Sequence, residues 1–177
     1  FVIADTITVL VTPLYETDTS SPLIWVAVYA YTLKIYFDFA GYTDMAIGTA
    51  RLFGFTIIEN FDRPYLRRNI SEFWRNWHIS VYSFIRDYFF LPFFSRRPSN
   101  LKTSIGIFCT MLVFMLWHEA SWQFLAVGAY HGTGLVVFMQ VQELKSRSKG
   151  LRDFLKQKWL VPISTFATFT FVSFSFL

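Results

Sequence analysis

Cysteine is nearly absent. Cys109 is the single one in 177 residues, which excludes an internal disulfide. It lies in an apolar run and reads as a small buried hydrophobe. No Cys/His spacing suggests zinc, so no metal is expected. Gly41, Gly48 and Gly54 lie too far apart to build a phosphate-cradling loop. Charge is scarce as well: 16% of residues are charged, against about 25% in an ordinary soluble domain. In its place stand 54% hydrophobic residues, 22 of them Phe, and a mean hydropathy of +0.38. A soluble domain of this size would struggle to cover so much apolar surface. The expected class is all-α, a polytopic membrane helical bundle with interfacial and re-entrant helices, forming one membrane domain over 1–177. The net charge of +4 does not call for nucleic acid. The basic residues cluster between apolar segments, where the positive-inside rule puts them.

Residues 1–14 are mildly apolar and carry Pro13, which is expected to break them. Residues 15–22 (YETDTSSP) hold turn formers, two acids and no Lys or Arg, as expected of a loop on the non-cytoplasmic face. Leu23 to about Ala50 exceeds the roughly 20 residues a spanning helix needs. Lys34 and Asp38 sit one helical turn apart within it and are expected to neutralise each other.

Residues 59–102 differ in kind. They hold eight basic residues (Arg63, Arg67, Arg68, Arg75, Arg86, Arg96, Arg97, Lys102) among dense aromatics. That mixture describes a cytoplasmic-side segment at the membrane interface. Asn69 can cap a helix starting near Ser71 and running to Arg86 or Asp87. Thr103–Trp117 and Ser121–Val141 are two further spanning candidates, the second interrupted at Gly128, His131, Gly132 and Gly134. Residues 142–158 read as a polar loop with six Lys/Arg, and 160–177 as a fourth apolar run.

Both basic segments belong on the cytoplasmic side. Between them the chain must cross and return, with only Trp117-His118-Glu119-Ala120-Ser121 as the turn. Non-helical backbone at membrane depth is tolerated only where it is buried in protein or lines a water-filled cavity. An imidazole at such a turn occupies a chemical position. In its neutral form it can accept the proton of an attacking hydroxyl, and positioned general-base catalysis contributes about 10²–10⁴-fold. Glu119 is a candidate to orient it. His78 follows Trp74, Arg75 and Trp77 closely and reads either as an interface histidine or as a second functional one. His131 reads as a helix-packing histidine. Ser121 is the nearest hydroxyl to His118, and a covalent role for it is disfavoured.

Five stretches carry a resemblance: IYFDFAGYTDMAIG (35–48), ENFDRPY (59–65), SEFWRNWHIS (71–80), RDY (86–88), and Leu116-Trp117-His118 with GAYHG (128–132). Together they resemble the membrane-bound O-acyltransferase family, and within it the bacterial branch that includes alginate O-acetyltransferases. The matched region corresponds to the central and later part of a longer family member, so the chain is expected to be an internal segment. The resemblance implies His118 as the catalytic histidine and His78 as a second one near the cytoplasmic mouth of a tunnel. Asp38, Trp77, Arg75, Trp117, Glu119 and His131 become candidates for the substrate path. It further implies no resident cofactor and an acyl thioester, acetyl-CoA in the leading case, as donor substrate. The implied partners are membrane lipid, the remainder of its own chain, and an extracytoplasmic acyl-relay or polysaccharide-modifying protein. The implied location is the bacterial inner membrane. Two departures stand out: Glu119 replaces the family's usual Gly, and the residues after Pro92 lack its usual GGNR. The alternative from a different class is a transporter or channel using the same His, Asp and Lys residues as an ion path.

Overall fold

The computed structural model describes residues 2–15, 23–94 and 99–176. Every regular element among them is helical. Contacts divide the chain into two compact units, residues 1–61 with 169–177, and residues 62–168.

In the first unit, α1 (Val2–Tyr15) runs straight through position 13, so the expected break is not made there. The loop expected over 16–22 lies outside the described residues. Helix α2 (Leu23–Leu52) is the long apolar helix. It ends on Gly54, whose φ of 80° is the left-handed geometry glycine adopts at a helix C-terminus. The Gly54 N–H donates back to the Arg51 carbonyl at 3.0 Å. Ala27, Val28 and Thr32 are fully buried, with Val172 and Ser173 of the same unit. Tyr29 stacks on Phe169 at 5.4 Å, and its hydroxyl meets the Thr170 hydroxyl at 3.1 Å. Lys34 and Asp38 do not pair as expected. The Lys34 ammonium lies over the Tyr31 ring at 5.5 Å, and Asp38 is exposed. A long cation gains more over a ring face on its own helix than from an exposed i,i+4 carboxylate.

The second unit opens with a 3₁₀ turn (Pro64–Leu66) and then α3 (Ile70–Asn76). The cap at Asn69 is formed. Its side-chain oxygen accepts from the Glu72 N–H at 2.9 Å, and Glu72 Oε1 accepts in return from Asn69 Nδ2 at 2.7 Å. Asn69→Ala should cost about 1 kcal/mol, read as a lowered unfolding temperature of the intact protein in detergent.

The helix expected to continue to Arg86 instead stops. Trp77 is extended, and His78 is left-handed at φ 49°, ψ 53°. The Asn76 carbonyl, freed from the helix, accepts from the Asp62 N–H at 3.1 Å. Helix α4 (Ile79–Ile85) then leads through one π-helical turn (Arg86–Phe90) into α5 (Leu91–Phe94).

Helices α6 (Asn100–His118) and α7 (Trp122–Arg147) form the hairpin at the centre of this unit. Helix α7 is continuous through its glycines. Their role is close approach, since a Cβ on Gly128 would sit 3.0 Å from the Met111 carbonyl oxygen and 3.1 Å from Leu112 Cα. The polar stretch 142–158 is not a loop either. Helix α7 runs on to Arg147, and α8 (Lys149–Leu155) starts at once, capped by the Ser148 hydroxyl. Charged residues on a solvated helix face give the same composition as a loop. Helix α9 (Leu160–Phe174) is apolar but only 15 residues long. Among the described residues three helices, α2, α6 and α7, are long and apolar enough to cross a membrane, so the all-α polytopic expectation holds.

Candidate active site

The site is built where α3 packs on the α6–α7 hairpin. Trp74 is the pivot, 3% exposed. Its ring meets Phe114 of α6 edge-on at 5.0 Å and His131 of α7 at 5.1 Å and 89°. His131 is thus a buried packing histidine, as one reading of the sequence had it. Behind Trp74, Tyr65, Phe73 and Trp77 form a second ring cluster, with Phe73 and Trp77 stacked at 5.5 Å. Trp77 therefore braces α3.

The break at residues 77–78 turns His78 off the end of α3 and towards α6. Its ring lies 6.3 Å from Phe114, 5.7 Å from Trp117 and 6.4 Å from His118. A left-handed backbone at a non-glycine residue costs about 1–3 kcal/mol and tends to occur at functional positions. A continued helix would have kept His78 on the face of Trp74 and Arg75, as its spacing suggested. The strained geometry exchanges that placement for one beside His118.

His118 is the last residue of α6. Phe114, one turn earlier on the same face, contacts it at 5.7 Å, and Phe124 of α7 stacks on it at 5.9 Å and 18°. The turn that follows is three residues long. Glu119 caps α6 in an extended conformation, and Ser121 caps α7 by accepting from the Phe124 N–H at 3.4 Å. Ser121 therefore has a structural task. The Glu119 carboxylate makes no hydrogen bond or ion pair among the described residues, so it does not orient His118 here. His118 and Glu119 are both exposed, and Trp117 is 58% exposed. The described residues do not enclose the turn.

His78, by contrast, is 6% exposed. Burial, reinforced by the His118 imidazole, pushes its pKa down to about 4. It is neutral at physiological pH and carries one N–H to donate. An unfolded chain protonates the same ring near 6.5. Between those values the unfolded state binds more protons, so stability is full above pH 6.5 and is lost as the pH falls towards 4. His78→Asn, which tolerates the left-handed backbone, should shrink the stability gap between pH 7 and pH 4.5 measured by thermal unfolding.

A cavity of about 310 Å³ is bordered by Phe114. Its buried lining includes Trp74, Met111 and Phe114, and its exposed lining includes Arg75 and Arg86. Of the residues singled out in the sequence, Arg75, His78, Trp117, His118 and, through Trp74, His131 belong to one assembly. Asp38 belongs to the other unit. Sequence reasoning missed Phe114 and gave Arg86, though noted in the RDY stretch, no place in the site. The i,i+4 spacing to His118 was a usable signal for the first. The π-helical turn that sets Arg86 on the cavity had none. No group of three or more His, Cys, Asp or Glu able to hold a metal occurs among the described residues.

Comparison with known proteins adds the following. The family model for MBOAT, the membrane-bound O-acyltransferase family, matches residues 10–175. A probable alginate O-acetylase AlgI of Azotobacter vinelandii is 43% identical over 120 residues, covering 68% of this chain and 24% of that protein. A teichoic acid D-alanyltransferase of Streptococcus thermophilus is 33% identical over 165 residues, covering 85% of this chain and 39% of that protein. A peptidoglycan O-acetyltransferase of Helicobacter pylori is 37% identical over 113 residues, covering 64% and 21%. The chain thus spans well under half the length of these relatives.

Proposed function

This chain belongs to the membrane-bound O-acyltransferase family, and from that premise we propose that the intact protein is an integral-membrane O-acyltransferase. It moves an acyl group, acetyl in the leading case, from a cytosolic thioester to a hydroxyl of an exported polysaccharide or of a protein that relays the group. The bacterial plasma membrane is the setting this implies. The relatives named for alginate, peptidoglycan and teichoic acid support an envelope polymer as the destination.

The observation that carries the reading is the facing of His78 and His118, 6.4 Å between ring centroids, from two different elements. At that separation the two rings border one gap, so both can reach a single carbonyl group and its attacking hydroxyl. His118 in its neutral form takes the proton of the acceptor hydroxyl as its oxygen forms a bond to the thioester carbonyl carbon. The neutral His78 donates its N–H to the carbonyl oxygen as negative charge develops there. The carbon–sulfur bond then breaks, and the leaving thiolate recovers the proton from His118. No protein group is acylated, which agrees with the capping task of Ser121.

The test is reconstitution of the intact protein in sealed vesicles, with labelled acetyl thioester on one side and a hydroxyl acceptor on the other. Label should appear on the acceptor without any ion current. Ion flux with no acetyl transfer would overturn the reading and favour a transporter.

A further inference from the structure

The chain's formal net charge is +4, and all of it lies in residues 142–158. They hold Lys145, Arg147, Lys149, Arg152, Lys156 and Lys158 against Glu143 and Asp153, whereas elsewhere ten Lys/Arg balance ten Asp/Glu. The acyl-transfer mechanism uses none of these residues.

The structure gives this charge a shape. Helix α7 ends on Lys145 and Arg147, and Arg147 pairs with Glu143 one turn earlier. Ser148 is extended and interrupts the helix, and its hydroxyl caps α8 by accepting from the Leu151 N–H at 3.3 Å. Within α8, Leu151, Phe154 and Leu155 stand at i, i+3 and i+4 and share one face. Lys149, Arg152 and Asp153 have the same spacing and share the opposite one. The apolar face is open, with Phe154 50% exposed and Leu155 37%. Past the helix come Lys156 and Lys158, and then Trp159, also exposed, which meets Phe154 edge-on at 6.1 Å. Lys149, Arg152, Lys156 and Lys158 form no ion pair among the described residues.

Three observations say what covers this surface. Helix α8 follows α7, which is long and apolar enough to cross a membrane, after a single residue. Apolar α9 starts at Leu160, five residues after α8 ends. A short amphipathic segment held between two apolar helices is kept at the face of the bilayer. An open Phe–Leu face ending in a tryptophan is the chemistry of the headgroup boundary, where the apolar side sinks in and the indole sits at headgroup level. The unpaired cations on the other side complement the negative headgroups there. An acidic protein would match the charge alone.

We infer that α8 and residues 156–159 lie in the plane of the membrane and bind anionic phospholipid headgroups. Leu151, Phe154 and Leu155 enter the acyl boundary, Trp159 fixes the depth, and Lys149, Arg152, Lys156 and Lys158 take the headgroup charge. Each basic residue close to an anionic surface contributes roughly fivefold to the affinity.

The experiment places the intact protein in phosphatidylcholine vesicles with a trace of photo-crosslinkable phosphatidylglycerol or phosphatidylcholine. Both probes carry the same diazirine in the acyl chain and differ only in the headgroup. Crosslinks in residues 149–159 are counted by peptide mass spectrometry relative to those in α9, which holds no charged residue. Acyl transfer is not measured, so the result is independent of the enzymatic reading. In the wild type, phosphatidylglycerol should label this segment at least fivefold more than phosphatidylcholine. Lys149→Gln/Arg152→Gln/Lys156→Gln should erase the preference while phosphatidylcholine labelling is unchanged. All three residues are exposed, so the variant is expected to fold. Salt at about 1 M, where the screening length is about 3 Å, should erase it too. Phe154→Ser/Leu155→Ser should lower labelling by both probes. Equal labelling by the two probes in the wild type would overturn the inference, as would a preference that survives the triple substitution. Absence of labelling by either probe would also overturn it, and would assign the charge to an acidic protein partner.

Discussion

His118→Ala in the intact protein is expected to lower acyl transfer by about 10²–10⁴-fold with almost no change in stability. The two halves of that expectation have separate causes. Under the proposed mechanism the rate should fall because the acceptor hydroxyl would lose the group that takes its proton as the carbon–oxygen bond forms. The fold persists because His118 is exposed at a helix end, and exposed substitutions away from caps usually stay within about 0.5 kcal/mol. Its ring contacts with Phe114, Trp117 and Phe124 are peripheral to the Trp74–Phe114–His131 pivot. Transfer measured with labelled donor, alongside an unfolding curve of the same preparation, checks both halves. A fall in stability matching the fall in rate would make His118 a packing residue.

Gly128→Val should produce the largest loss of stability, about 1–3 kcal/mol from overpacking. A side chain there meets backbone, the Met111 carbonyl at 3.0 Å and Leu112 Cα at 3.1 Å. Backbone cannot step aside as a flexible side chain does, so α6 and α7 must separate. Phe114, one turn from Met111, would move with α6, and its contacts to Trp74 and His78 would loosen. Gly132→Val should behave alike, since its Cβ would come within 3.2 Å of Phe108 Cα. Gly150→Ala is the contrasting variant. Nothing lies within 4 Å of its Cβ, and alanine in a helix gains about 0.5–1 kcal/mol over glycine. Thermal unfolding of the three variants in detergent should order them accordingly.

Much of this was legible in the residues. The long apolar runs located α2, α6 and the start of α7 to within a few residues, because length and hydropathy are what spanning requires, while α7 runs past its expected end at Val141 to Arg147. The Asn69 cap was visible because its chemistry is local. A short turn at 117–121 was legible from the lack of a polar loop between two apolar runs, but Trp117 and His118 belong to α6, which leaves only three residues to the turn. The break at Trp77-His78 was not legible. Nothing in SEFWRNWHIS forbids a continued helix, and the strained His78 backbone follows a helix whose Trp74 packs on Phe114 and His131, distant in sequence. The meeting of Trp74 with His131 was hidden for the same reason, 57 residues of separation. Glu119 drew attention as a misfit beside His118. In the structure it caps α6 with its carboxylate directed to no partner among the described residues, and nothing in the structure explains the departure from glycine. The stretch 142–158 was misread because charge marks solvent exposure, not the absence of a helix.

The central claim is that His78 and His118 act as one unit on a single reacting carbonyl. A double-mutant cycle of acetyl transfer on the intact protein, with His118→Ala, His78→Asn and the pair, tests it most directly. Groups that act as a unit are strongly non-additive. Each single variant should lose most of the transfer, and the double variant should fall little below the worse of the two. Strictly multiplicative losses, or normal transfer by either single variant, would contradict it.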